Sequence, residues 1–221
     1  MNDESRSRRD RYDVTGNVEA EYVDADGLVL VNKRGIAELE ELQLLEEDCL
    51  TKAYETLLDE IRVDTPMSVE LIRYVHERVF GPVFTWAGRW RTVNISKPGV
   101  TWPPPVFIAE NMESLERDVL RKYPAASLTD DETFCRGVAV IQGEFLVIHP
   151  FREGNARTIK LVTDLLAAQS DRPPLSYDKT DTGRNAYIAA ASQAFSRNYA
   201  PLEAIIRRAL ESARGEPATP P

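Results

Sequence analysis

The side chains best suited to chemistry lie in one run of twelve residues, from His149 to Lys160. The run holds a histidine that can take up a proton near neutral pH, a glutamate that suits a hard cation, and two basic side chains. A Gly-Asn pair among them stands where the pattern predicts that a helix begins. Because the first backbone N–H groups of a helix bind anions, the run predicts phosphoryl or nucleotidyl transfer.

Four side chains of this run have separate roles in such a reaction. His149 supplies a base, and Glu153 supplies a carboxylate for Mg²⁺. Arg157 and Lys160 are three positions apart, which predicts that they project from one helix face toward an anion. Taken singly, a packed histidine, a surface glutamate or a solvated basic face would explain each of them. Their order around a predicted helix start favours the functional interpretation.

The elements that would hold this run in place are mostly helices. Apolar residues recur at helical spacing in seven stretches, which cover residues 36–58, 68–80, 108–123, 130–148, 156–169, 184–195 and 202–212. Between residues 79 and 107, glycine, proline and tryptophan interrupt short extended pieces, which predicts a loop and a β-hairpin. The sequence therefore predicts an all-α fold with one hairpin.

The composition limits the class of protein. The 221 residues are 43% hydrophobic and 29% charged, which suits one domain over residues 21–212 with a disordered tail at 1–20 and a Pro/Gly-rich tail at 213–221. The net charge of −9 argues against a nucleic-acid partner. With no apolar run of about 20 residues and no secretory signal, we expect no membrane partner. Two distant cysteines, Cys49 and Cys135, predict buried thiols in a cytoplasmic protein.

The run 149–160 resembles the signature H-P-F-x-[D/E]-G-N-G-R-x-x-R of the Fic family (filamentation induced by cAMP). Other segments resemble further patterns of that family. These are L-x-N-K-x-G-I at residues 30–36, WAG-x-x-R at 84–93, E-L-N-A-I at 144–148 and Y-x-P-L at 199–202. The resemblance covers about residues 22–210 and implies the family's helical domain with a β-hairpin flap.

The resemblance also implies an activity and its ligands. Family enzymes mostly transfer AMP from ATP to a Ser, Thr or Tyr hydroxyl of a target protein, which implies a protein adenylyltransferase that uses ATP and Mg²⁺. His149 would accept the proton of the attacking hydroxyl, and Glu153 would hold the Mg²⁺ that bridges the phosphates. The residues that would bind the nucleotide phosphates are Gly154, Asn155, Ala156, Arg157 and Lys160.

The predicted hairpin, about residues 93–107, corresponds to the family's flap. In such a flap, main-chain hydrogen bonds pair with the backbone of the target protein and place the side chain to be modified. The resemblance implies that the target is contacted by Asn94, Ile95, Ser96, Val100, Thr101 and Trp102. A Pro-rich surface loop is the plain alternative for this segment.

Two positions depart from the family signature. Ala156 replaces a glycine, at little cost where the backbone is helical. Lys160 replaces the final arginine, and an ammonium lacks the planar fork that grips two phosphate oxygens. No segment matches the family's inhibitory pattern [S/T]-x-x-x-E-[G/N], since residues 15–20, 51–56 and 212–217 each fail at the last position. The resemblance then implies a toxin-type member whose inhibitor is a separate small antitoxin.

Two other functions stay open at this point. A Doc-like member would transfer phosphate, but its motif has Ala-Asn-Lys-Arg where this chain has Gly-Asn-Ala-Arg. A degenerate, non-catalytic scaffold would bind a nucleotide or a partner protein without any transfer. Lys160 favours the scaffold, whereas His149, Glu153, Asn155 and Arg157 count against it.

Overall fold

The computed structural model of the chain describes residues 17–24, 26–97 and 99–215. Within them the chain forms seven α-helices, one two-stranded antiparallel sheet and short 3-10 turns. The helices are α1 (Leu39–Glu60), α2 (Val69–Phe80), α3 (Ile108–Asp118), α4 (Asp131–Ile148), α5 (Asn155–Gln169), α6 (Asp181–Gln193) and α7 (Ala200–Ala213). The strands are β1 (Ser96–Lys97) and β2 (Val100–Thr101), paired so that Ser96 lies opposite Thr101. The predicted helical fold with one hairpin is confirmed.

Helix α4 forms the centre of the domain. It begins with a capping box, in which the Asp130 carboxylate accepts from the Thr133 N–H at 2.8 Å. Its buried side chains, among them Phe134 and Phe145, pack against α3, α5, α6 and α7. A helix with partners on so many sides can hold the loop at its C-terminus in one place.

Helices α1 and α2 pack against each other and against α5. Helix α2 begins where the sequence predicts, because the Ser68 hydroxyl accepts from the Leu71 N–H at 3.1 Å. The apolar stripe of α1 lies on one face, through Leu42, Cys49, Ala53 and Leu57. The start of α5 is therefore flanked by α4 and by the α1–α2 pair.

The predicted N-terminal tail is partly wrong. Residues 1–16 lie outside the described part of the chain, but Asn17 and Glu19 are bound to the domain. The Glu19 side chain is buried and accepts from the Thr92 N–H at 2.7 Å, and Asn17 donates to the Thr92 hydroxyl at 3.0 Å. Residues 17–20 therefore belong to the domain, because their polar groups pair with the segment that leads into the hairpin.

Two smaller predictions concern the thiols and the C-terminus. Cys49 and Cys135 are buried and free, as predicted, and burial raises the pKa of Cys135 to about 11. The last residues of the predicted C-terminal tail, 216–221, lie outside the described residues. None of the described helices is both long and apolar enough to cross a membrane.

Candidate active site

His149 lies at the C-terminus of α4 in the left-handed conformation, with φ 51° and ψ 60°. Few residues other than glycine adopt this conformation, and the surrounding structure has to hold it. The ring Nδ1 faces the Leu146 carbonyl at 3.2 Å, so Nδ1 carries the proton and Nε2 has the free electron pair. Burial lowers the pKa of His149 to about 4, which keeps the imidazole neutral and able to accept a proton at pH 7.

The loop after His149 is closed by Asn155. Its side-chain oxygen accepts from the Phe151 N–H, and its side-chain nitrogen donates to the Phe151 carbonyl, both at 2.9 Å. Phe151 is itself buried and stacks on the His76 ring with a centroid distance of 3.7 Å. The side chain of Asn155 is therefore committed to the loop, and its backbone N–H is the group that can face a ligand.

The start of α5 offers open N–H groups. Gly154 precedes the helix with φ 80°, and a Cβ at this position would overlap the Phe80 ring, so the turn requires glycine. Within the described residues, the backbone N–H groups of Asn155, Ala156 and Arg157 donate to no acceptor. Open N–H groups at a helix start suit an anion, so phosphate binding at this helix start stays a prediction.

Arg157 lies against α1 and α2. Its Nη1 is 2.6 Å from the Glu46 carboxylate, its Nη2 is 3.5 Å from the Glu153 carboxylate, and its guanidinium lies 4.8 Å from the Phe80 ring centroid. The side chain of Glu46 is only 7% exposed. Burial raises the pKa of Glu46, and the charge of Arg157 opposes that increase. The side chain of Glu153 is 51% exposed and is open to a cation.

Lys160 faces another part of the domain. Its ammonium lies 3.8 Å from the Tyr187 ring centroid and 4.2 Å from that of Tyr177, and burial lowers its pKa to about 8. The prediction that Arg157 and Lys160 point at the same anion is wrong in this structure. Cation–π contacts with the two tyrosines hold Lys160, whereas Arg157 is held by Glu46 on the side of α1.

The hairpin lies over His149. The centroids of the Trp102 and His149 rings are 4.2 Å apart, and the indole Nε1 donates to the Leu146 carbonyl at 3.0 Å. Trp102 therefore faces the site rather than the solvent. The rest of the segment assigned to target contact is open or half-buried, through Asn94, Ile95, Ser96, Val100 and Thr101.

Sequence reasoning assigned no role in the site to three polar residues that support it, Glu46, His76 and Arg91, although Arg91 is the arginine of the WAG-x-x-R pattern. His76 is buried, accepts from the Gly88 N–H at 2.9 Å and donates from Nε2 to the Glu153 carbonyl at 3.1 Å. Burial lowers the pKa of His76 to about 3, so it is neutral. Glu46 had a sequence signal, because it is an acidic residue within the apolar stripe of α1.

Residues 66–167, which include the hairpin, the loop and most of α5, match the Fic/DOC family. Over these residues the chain is similar to Fic domains. Among similar proteins, the probable protein adenylyltransferase y4lH of Sinorhizobium fredii is 26% identical over 182 residues, which are 82% of this chain and 91% of the relative. The protein adenylyltransferase VbhT of Bartonella schoenbuchensis is 25% identical over 86% of this chain, which spans 38% of VbhT.

Solved Fic domains share the fold. The N-terminal FIC domain of Bep8 from Bartonella sp. 1-1C has a TM-score of 0.71 at 19% identity, over 82% of this chain and 90% of that one. BepC from Bartonella tribocorum, solved with bound AMPPNP, has a TM-score of 0.66 at 18% identity, over 81% and 91%. The domain of this chain therefore shares its overall fold with those Fic domains.

Proposed function

We propose that this Fic domain is a protein adenylyltransferase, which transfers AMP from ATP to a hydroxyl side chain of a target protein. The observation that carries the proposal is that the loop from His149 leads directly to the open start of α5, with Arg157 in the first turn of that helix and Trp102 of the hairpin segment against the His149 ring. The names of y4lH and VbhT as adenylyltransferases support the reaction type, and the AMPPNP in BepC supports a nucleotide ligand.

His149 acts as the base in the proposed reaction. The target hydroxyl attacks the α-phosphorus of ATP, its proton passes to Nε2 of His149, and the bond to the leaving pyrophosphate breaks. The neutral imidazole and its Nδ1–H bond to Leu146 keep Nε2 in the accepting form.

The phosphates are bound by the start of α5 and by Arg157. The open N–H groups of residues 155–157 donate to phosphate oxygens, and the helix dipole adds to that attraction. Arg157 is anchored through Nη1 on Glu46, so its other donors can reach the triphosphate and stabilise the departing pyrophosphate. Lys160 contributes through packing with its tyrosines instead of through a phosphate contact.

Glu153 is the residue that would hold Mg²⁺. The described residues contain no group of three or more acidic, histidine or cysteine side chains that could bind a metal without help. One exposed carboxylate next to a phosphate site nevertheless suits Mg²⁺, which takes one or two carboxylates together with substrate phosphates. The bound ion would neutralise phosphate charge and help to orient the triphosphate.

The target protein would bind along the hairpin. The two short strands leave outer backbone groups that can pair with an extended segment of the target above His149. We also propose that a separate small protein inhibits the enzyme and that the enzyme is cytoplasmic. Glu55 of the imperfect inhibitory segment 51–56 is exposed on α1.

One labelling experiment tests the proposed function. The protein is incubated with a cell lysate and either α-labelled or γ-labelled ATP, beside the His149→Asn variant. We expect protein label from α-labelled ATP alone, and none with the variant. Label from γ-labelled ATP would establish phosphate transfer, and nucleotide binding without label would establish the scaffold.

A further inference from the structure

Arg91 precedes the hairpin, and its side chain is buried beneath it with 2% of the residue exposed. The guanidinium donates to three backbone carbonyls in three directions. Nε donates to His149 at 2.9 Å, Nη1 to Val93 at 2.8 Å and Nη2 to Pro103 at 2.7 Å. Val93 precedes β1 and Pro103 follows β2, so one side chain binds both sides of the hairpin to the residue after α4.

The backbone strengthens the same connection. The Arg91 N–H donates to the Pro150 carbonyl at 2.9 Å, which places the segment alongside the loop of the active site. Trp102 adds a second link from the flap, through its bond to Leu146 and its contact with the His149 ring. His149 is therefore bound at its carbonyl by Arg91 and contacted at its imidazole by Trp102 of the flap.

Burying the charged guanidinium of Arg91 costs desolvation free energy, which its hydrogen bonds have to offset. Burial lowers the pKa of Arg91 to about 10, and the carboxylate of Glu19 acts in the opposite direction. Arg91 therefore stays charged at pH 7, and its acceptors are neutral carbonyls. A lysine could not replace Arg91, because one ammonium group cannot donate to all three carbonyls that the planar guanidinium binds together.

We propose that Arg91 is a positioning residue that sets the flap in register with the catalytic base. Its bond to the His149 carbonyl holds the left-handed backbone that aims the imidazole, and its other two bonds fix the ends of the flap. A target segment paired to the flap is then presented at a constant distance from Nε2 of His149. The catalytic part of this inference rests on the proposed function, whereas the mechanical coupling does not.

The test compares Arg91→Lys with a matched control, Arg89→Lys. Arg89 is two residues away, is exposed, and donates to the single carbonyl of Thr85 at 2.8 Å. We expect Arg91→Lys to exchange its hairpin amides about tenfold faster than the control in hydrogen-exchange measurements. AMP transfer to a target protein should fall about 10- to 100-fold in kcat/KM, with the affinity for ATP nearly unchanged. A merely structural role would lower the melting temperature without this difference between transfer and ATP binding.

A measurement on the parent protein keeps the inference testable should Arg91→Lys not fold. In nitrogen-15 spectra, the Nε–H of Arg91 should exchange far more slowly than that of Arg89. Equal exchange of the two groups would overturn the proposal, as would a folded Arg91→Lys whose hairpin exchange and His149 ring signals match the control. A parent without AMP transfer would overturn the proposed function alone, since the exchange measurements need no nucleotide.

Discussion

The guanidinium of Arg157 is bound at 2.6 Å to the carboxylate of Glu46, a residue 111 positions earlier in the chain. The contact joins the first turn of α5 to the middle of α1. It fixes one edge of the guanidinium, and the other edge is 3.5 Å from Glu153 at the open side of the site. Glu46 therefore fixes the orientation of Arg157, which the sequence motif alone does not determine.

The first prediction concerns Glu46→Gln. Burial already disfavours the carboxylate, as the raised pKa of Glu46 indicates, so the amide should cost little stability. AMP transfer should nevertheless fall about 10-fold in kcat/KM, because Arg157 loses the partner that orients it. Urea unfolding and steady-state kinetics measure the two effects, with exposed Glu47→Gln as the matched control. An increase in activity would mean that Glu46 competes with ATP for Arg157.

The second prediction concerns His149→Asn. Asparagine tolerates the left-handed conformation but cannot act as a base, so the fold should persist while transfer drops about 10²–10⁴-fold. In the parent, the acid limb of kcat/KM should have its midpoint near the pKa of about 4 rather than the ordinary 6.5. A midpoint at 6.5 would show that the imidazole is not buried in the active form.

The same lowered pKa has a consequence for stability. Between about pH 6.5 and 4, the unfolded chain takes up a proton at His149 before the folded chain does. The parent should therefore lose stability relative to His149→Asn as the pH falls through this window. Urea midpoints of both proteins at several pH values measure the difference, and parallel curves would contradict the burial of His149.

The third prediction concerns Lys160→Met, which keeps an unbranched side chain between Tyr177 and Tyr187. Transfer should stay within about threefold, because Lys160 does not face the phosphates. Burial lowers the pKa of Lys160 from its ordinary 10.5 to about 8, so the folded chain releases this proton before the unfolded chain does. The parent should gain stability relative to Lys160→Met between pH 8 and 10.5. A tenfold loss of activity would place Lys160 at the triphosphate after all.

The fourth prediction concerns Gly154→Ala. The new methyl group would overlap the Phe80 ring. An alanine in the left-handed conformation adds backbone strain. Gly35→Ala is the matched control, since Gly35 has φ 68° with nothing within 4 Å of an added Cβ. Gly154→Ala should unfold more easily than the control by about 1–3 kcal/mol in urea. Equal stabilities would show that the Phe80 ring moves aside freely.

The sequence by itself determined the features that depend on near neighbours in the chain. Apolar spacing predicted the helices, because the 3.6-residue period places one face against the core. At Ser68 and Asp130 the structure shows the local interaction that starts a helix, because each side chain accepts from an N–H group three residues away. The run 149–160 was recognisable because the base, the open helix start and Arg157 are contiguous.

Only the tertiary structure decided the features that depend on which helix faces which. Lys160 follows Arg157 by three positions, yet packing gives it Tyr187 of α6 and Tyr177 of the preceding loop, while α1 gives Arg157 a glutamate. The partners of Arg91 lie 2, 12 and 58 positions away, and no local pattern brings those carbonyls together. Such contacts form where side chains from distant segments are enclosed together, because burial requires each polar group to find whichever partner the packing supplies.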